Sequence, residues 1–242
     1  MKLEYSPKDD YFEFLLKSFF NVYTRYCYIP KINSITIKID PTNGEAPIAY
    51  KETKKIILNT DPCLWNQVIY QLSHELCHLL VGTHIPCCHL WFEESISEVS
   101  SQFFLHKLTE EWVEKGICLT DINGKLYALL FKEYAVNQAK NCIKFDISDL
   151  LNNESSIYKN IKSTGINREL NTNVANNLLP LFFENPKLWM AVHTLGKAAP
   201  YSDFSLFLQS WLEASPTVCR DSVSKIISLF KFNSANVSSN FG

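Results

Sequence analysis

Hydrophobic positions in the first part of the chain alternate between helical and strand spacing. Residues 8–26 place aromatic and leucine side chains three and four apart, which predicts a helix. Residues 34–40, SITIKID, alternate with β-branched side chains and predict a strand. Pro41-Thr42-Asn43-Gly44 has turn chemistry. Ala46 to Tyr50 and Lys55 to Asn59 then predict two further strands, joined by the polar Lys51-Glu52-Thr53. A small, mostly antiparallel sheet is therefore expected. Asp61-Pro62 has the form of a helix start, with Asp61 as cap and Pro62 in the first helical position. That helix is expected to run to Val81 and stop at Gly82. A second one runs from Trp91 to Lys115, with Phe92, Ile96, Val99 and Phe103 at helical spacing and Gly116 closing it.

The remaining periodic segments are helical. They are Lys125–Lys140, Asn173–Phe183 with Pro180 expected to kink or shorten it, Asn185–Gly196, Ser202–Glu213 and Asp221–Phe230. Residues 141–172 are polar and carry no clear period, and the Ser/Asn-rich tail Asn233–Gly242 is expected to fray. The fold class expected is α+β: a small sheet on a central helix, followed by helices. Residues 1–140 and 141–242 would form two lobes with a cleft between them, or one continuous domain.

Composition narrows the function classes. Hydrophobic residues make up 46% of the 242 and charged residues 20%, a balance that supports a folded core rather than disorder. The net charge of −2 lacks the basic excess of a nucleic-acid binder, so no nucleic-acid partner is expected. No apolar run approaches the length of a membrane span, and the N-terminus has no secretory apolar region. A cytoplasmic protein with no membrane partner is the expectation. The eight cysteines contain no C-x-x-C pair, which argues against a zinc ribbon or thioredoxin-like motif and for reduced thiols.

The candidate chemistry lies in His74-Glu75-Leu76-Cys77-His78. Four residues apart on a helix, His74 and His78 share one face and can share one metal ion. Glu75 adjoins that face, within reach of a metal-activated water, and is the candidate general base. Catalytic zinc needs a third protein ligand and an open position. Fifteen residues separate His78 from Glu94, enough for a helix end, a loop and a helix start. Glu94 and Glu98 then lie four apart on the second helix, and a ligand histidine needs an acceptor for its other N–H.

Here the sequence resembles the gluzincin metallopeptidases, the thermolysin-like and aminopeptidase-like zinc enzymes. Glu94-Ser95-Ile96-Ser97-Glu98 is similar to the thermolysin-like E-A-I-S-D pattern, and Trp91-Phe92-Glu93-Glu94 to the W-x-N-E start of the aminopeptidase pattern. The resemblance covers roughly residues 34–110. It implies a zincin-like fold, a Zn²⁺ cofactor, His74, His78 and Glu94 as ligands, and Glu98 as the support of the first histidine. It also implies hydrolysis of a peptide or protein substrate. In that family a Tyr or His beyond the third ligand steadies the oxyanion; the candidates are Tyr127, Tyr134, His193 and Tyr201, with Tyr134 and His193 carried forward. The substrate would lie against an edge strand, for which Ala46–Tyr50 is the candidate.

The spacing from His78 to Glu94 is shorter than in those families, so Glu93 is a neighbouring ligand candidate. His84 lies ten residues after His74, the metzincin spacing, but glycine falls at 82 rather than 81 and no methionine turn is evident. His89 is a weaker rival at the rim. The alternative function is a regulatory or partner-binding protein on a zincin scaffold without general proteolysis.

Overall fold

The computed structural model describes residues 2–27, 34–42, 44–82, 85–150, 155–164 and 167–230. Asn43 of the expected turn, the rival ligand His84 and the expected frayed tail lie outside the described residues. The architecture mixes a small sheet with a larger set of helices.

Four strands form the sheet: β1 (Lys2–Ser6), β2 (Ser34–Ile39), β3 (Ile48–Tyr50) and β4 (Lys55–Leu58). Their order is β1-β2-β4-β3. β1 runs parallel to β2 and β2 parallel to β4, and only β3 is antiparallel to its neighbour. This corrects the expectation of a mostly antiparallel sheet. The first strand, KLEYS, has too little periodicity to stand out, and helix α1 (Asp10–Tyr26) spans the gap between it and β2. A crossover of that length returns the chain parallel. β3 sits at the sheet edge, paired Ile48 with Ile57 and Tyr50 with Lys55. Ile35, Ile37, Ile56 and Leu58 are buried, so the alternation expected of a half-buried strand holds for β2 and β4.

Helix α2 (Trp65–Val81) lies against β3 and β4 and buries Val68, Ile69, Leu72, Leu76, Leu79 and Leu80. It begins later than expected. Asp61 Oδ1 accepts from the Cys63 N–H at 2.8 Å, so Asp61-Pro62 makes a tight turn and does not cap the helix. Gly82 does end it, with φ of 79°. Helix α3 (Leu90–Glu114) packs antiparallel in sequence sense beside α2 through serines. Ser100 Oγ donates to the Ser73 carbonyl at 2.8 Å, and Ser101 Oγ to that of Tyr70 at 2.9 Å. These small side chains let the two backbones approach and fix the register between them.

Helices α4 (Tyr127–Lys140), α5 (Ser156–Thr164), α6 (Arg168–Glu184), α7 (Leu188–Leu195), α8 (Phe204–Ala214) and α9 (Thr217–Leu229) complete the fold. α5 and the first turn of α6 occupy the stretch that showed no clear period. α6 starts at Arg168, capped by Asn167, and runs through Pro180 to Glu184. Val174, Ala175, Leu178 and Phe182 are buried along it, and this packing keeps the helix going where proline alone would stop it. Asn185-Pro186 repeats the Asp61-Pro62 pattern: Asn185 Oδ1 accepts from the Lys187 N–H at 3.2 Å, and α7 starts at Leu188. One apolar cluster runs across residue 140, with Trp189 of α7 against Phe103 and Phe104 of α3. No described helix is long and apolar enough to cross a membrane.

Candidate metal centre

The histidines of α2 and the carboxylates at the start of α3 meet at the wall of a cavity of about 590 Å³. The cavity opens between the free edge of β3, α2, α3 and the first turn of α6. The local sequence explains the meeting. His74 and His78 occupy one face of α2, their ring centroids 5.0 Å apart, and the serine contacts hold the N-terminal turns of α3 opposite them. Glu94 Oε2 lies 3.1 Å from His74 Nε2, and Glu94 Oε1 lies 3.6 Å from His78 Nε2.

These three side chains form a group that can hold a metal ion, with one ligand atom from each lying within 4.8 Å of the others. Ligands each about 2.0–2.2 Å from a common ion stand at most about 4.4 Å apart, a span the Glu94 contacts already meet. The donor set of two imidazole nitrogens and one carboxylate suits a divalent transition metal. The side chains are 14–20% exposed and face the cavity, so an ion can reach them. Burial opposes a charge on His74, but the Glu94 hydrogen bond and the nearby Glu75, Glu94 and Glu98 charges hold its pKa up at about 9. Burial pushes the Glu94 carboxyl up, yet the His74 hydrogen bond and the histidine charges leave it below its ordinary value. The cluster is therefore organised around positive charge.

Glu75 is buried beside the triad and lines the same cavity. Burial raises its pKa against the opposing pull of His74 and His78, and the backbone N–H of Ala49 on β3 favours its carboxylate. A carboxyl lifted in this way is a stronger base than an exposed one.

The acids around the triad divide differently from the expectation. Glu98, expected to support the first histidine, accepts from Tyr70 Oη at 2.5 Å and from Gln102 Nε2 at 3.2 Å. Its influence on His74 is through charge. Glu93, the neighbouring ligand candidate, is the carboxylate bonded to a histidine of the triad: its Oε1 accepts from His78 Nδ1 at 2.8 Å. That hydrogen bond directs His78 Nε2 toward Glu94. Lys51 Nζ stands 2.7 Å from the same Glu93 oxygen. Burial pushes Glu93 up, but the His78 bond and Lys51 bring it below its usual range.

None of the four candidate oxyanion donors lines the cavity. Tyr134 packs on Tyr70, with centroids 5.4 Å apart. His193 Nδ1 bonds the Leu80 carbonyl at 3.0 Å. Tyr127 stacks on Trp65 at 4.3 Å, and Tyr201 uses its carbonyl to accept from His89 Nε2. His89, the weaker rival ligand, is buried against Phe204 and Phe207 instead of at the triad. Tyr70, Arg168 and Asn171 do line the cavity, and sequence reasoning missed all three. Nothing local marks them; α6 brings Arg168 and Asn171 there only through its packing on α3.

No match to the chain was found among protein-family models, curated proteins or solved structures.

Proposed function

We propose that this chain is a zinc metallopeptidase of gluzincin type, with a zincin-like arrangement of sheet edge, HExxH helix and glutamate helix. The convergence of His74, His78 and Glu94 on one point, with Glu75 beside them in the same cavity, carries this reading. His74 and His78 would hold the ion through their ring nitrogens and Glu94 through its carboxylate. Zinc bound there supplies the Lewis acidity that makes water a nucleophile near neutral pH.

Glu75 then acts as general base, taking a proton from the attacking water and returning it to the leaving amine. Its burial raises its affinity for that proton, against the opposing pull of the two histidines and the Ala49 N–H. β3 is the edge strand of the sheet, and Ala46, Pro47, Ile48 and Ala49 line the cavity. An extended peptide adding to that edge would lie alongside the triad, which favours a peptide or protein substrate. A cytoplasmic location, with no nucleic-acid or membrane partner, belongs to the same proposal.

The test is Glu75→Gln on purified protein, assayed against a mixed peptide library with zinc content measured in parallel. The variant is expected to keep one equivalent of zinc and to lose about 10²–10⁴-fold in cleavage rate. Cleavage that persists unchanged in this variant rules out the proposed mechanism.

A further inference from the structure

Lys51 follows β3 directly and joins the end of that strand to Glu93 of α3. Its ammonium and His78 Nδ1 both donate to Glu93 Oε1, at 2.7 and 2.8 Å. The Lys51 side chain is 16% exposed and that of Glu93 only 3%, so the pair is largely withdrawn from water. A carboxylate held by a single donor can rotate about that bond; a second donor on the same oxygen fixes it. With Glu93 fixed, His78 donates from Nδ1 and presents Nε2 to the triad.

The same strand touches the proposed base. Ala49 on β3 and Lys51, in the turn just beyond it, line the same cavity as Glu75. The end of β3 is thus fastened to α3 at Glu93, while the strand itself packs on α2.

Resting on the metal-centre reading, we propose that Lys51 is a positioning residue: through Glu93 it sets the orientation of His78 for metal and holds the edge strand beside the triad. A buried ion pair is a poor device for stability alone, since apolar residues of similar size serve as well or better. Its placement against a ligand histidine gives it a use in metal affinity.

The test compares the full-length protein with Lys51→Met, Lys51→Arg, Glu93→Gln and the Lys51→Met/Glu93→Gln double variant. Zn²⁺ affinity is measured by competition with a chromogenic chelator, and the visible spectrum is recorded with Co²⁺. All variants are used only with a wild-type far-ultraviolet circular dichroism spectrum. The double variant leaves no unpaired buried charge, so it keeps the comparison open if one single variant does not fold. Lys51→Met is expected to weaken zinc binding about 10–100-fold and to shift the cobalt bands. Lys51→Arg is expected to restore most of that affinity, and Lys51→Met is expected to change nothing further once Glu93 is glutamine. Wild-type affinity in Lys51→Met, or an equal loss in the Glu93→Gln background, overturns the proposal while leaving the metal centre standing. A wild-type protein that takes up neither zinc nor cobalt overturns the metal-centre reading itself.

Discussion

Helix α3 carries a buried carboxylate, Glu111, near one end and a half-buried one, Glu94, near the other, and the two are satisfied in opposite ways. Near its C-terminus Glu111 is gripped by Arg25 through two bonds of 2.7 Å and also paired with Lys115. These permanent cations hold its carboxyl down to about 2. Near its N-terminus Glu94 contacts His74 and His78, which oppose its charge when protonated or when all three share a cation, with Lys51 acting on it from further off. The Glu111 pair fastens α1 to α3 and needs nothing from outside the chain. The Glu94 cluster can accept an added cation. A buried acid met by arginine and lysine is a clasp; a half-buried one met by two histidines on a cavity wall can hold a metal ion.

That contrast breaks most visibly under alanine substitution. Glu94→Ala is expected to abolish stoichiometric zinc binding and peptide cleavage while leaving chelator-treated protein about as resistant to denaturant as the wild type. Glu111→Ala is expected to do the reverse. Zinc affinity should be unchanged, and stability in chelator should fall by about 1–3 kcal/mol in denaturant unfolding, the cost of losing charge-assisted hydrogen bonds. If Glu94→Ala destabilises the chelated protein more than Glu111→Ala does, the two ends of the helix are not different in kind.

Acid sharpens the contrast with a smaller effect. The folded Glu111 carboxyl titrates at about 2, below its ordinary value of 4.5. Its contribution is therefore complete above that ordinary value and is lost as pH falls from about 4.5 through about 2. Unfolding measured across this window should show a steeper loss in the wild type than in Glu111→Gln. Equal slopes would mean that the Arg25 clasp does not carry the stability assigned to it.

The parts of this site that depend on spacing along a helix were legible in the sequence. His74 and His78 meet because they are four apart on α2, and Glu94 was reachable from its place in the opening turns of α3. The support of His78 was not legible. It depends on Glu93 turning toward α2 and on Lys51 arriving from a strand edge, and that contact is set by tertiary packing. The parallel sheet was hidden for a similar reason, since β1 is five residues with little pattern and gains its place by pairing with β2. Asp61-Pro62 and Asn185-Pro186 misled in the same way twice. In each the polar side chain closes a turn onto the residue after proline, a local bond that competes with capping. The cavity residues Arg168 and Asn171 carry no signal of their own, because α6 is brought to α3 by packing in which Val174 and Leu178 are buried, and Tyr70 reads as one more apolar position of α2.

One ion shared by His74, His78 and Glu94 is the expected state of the zinc-loaded protein. Anomalous diffraction at the zinc absorption edge, from crystals grown with zinc, tests it most directly. One peak is predicted at about 2.0–2.2 Å from a ring nitrogen of His74, a ring nitrogen of His78 and a carboxylate oxygen of Glu94. Glu75 and Glu93 should lie outside that coordination shell. A zinc peak held by other residues, or none at these three side chains at saturating zinc, would rule out the shared ion.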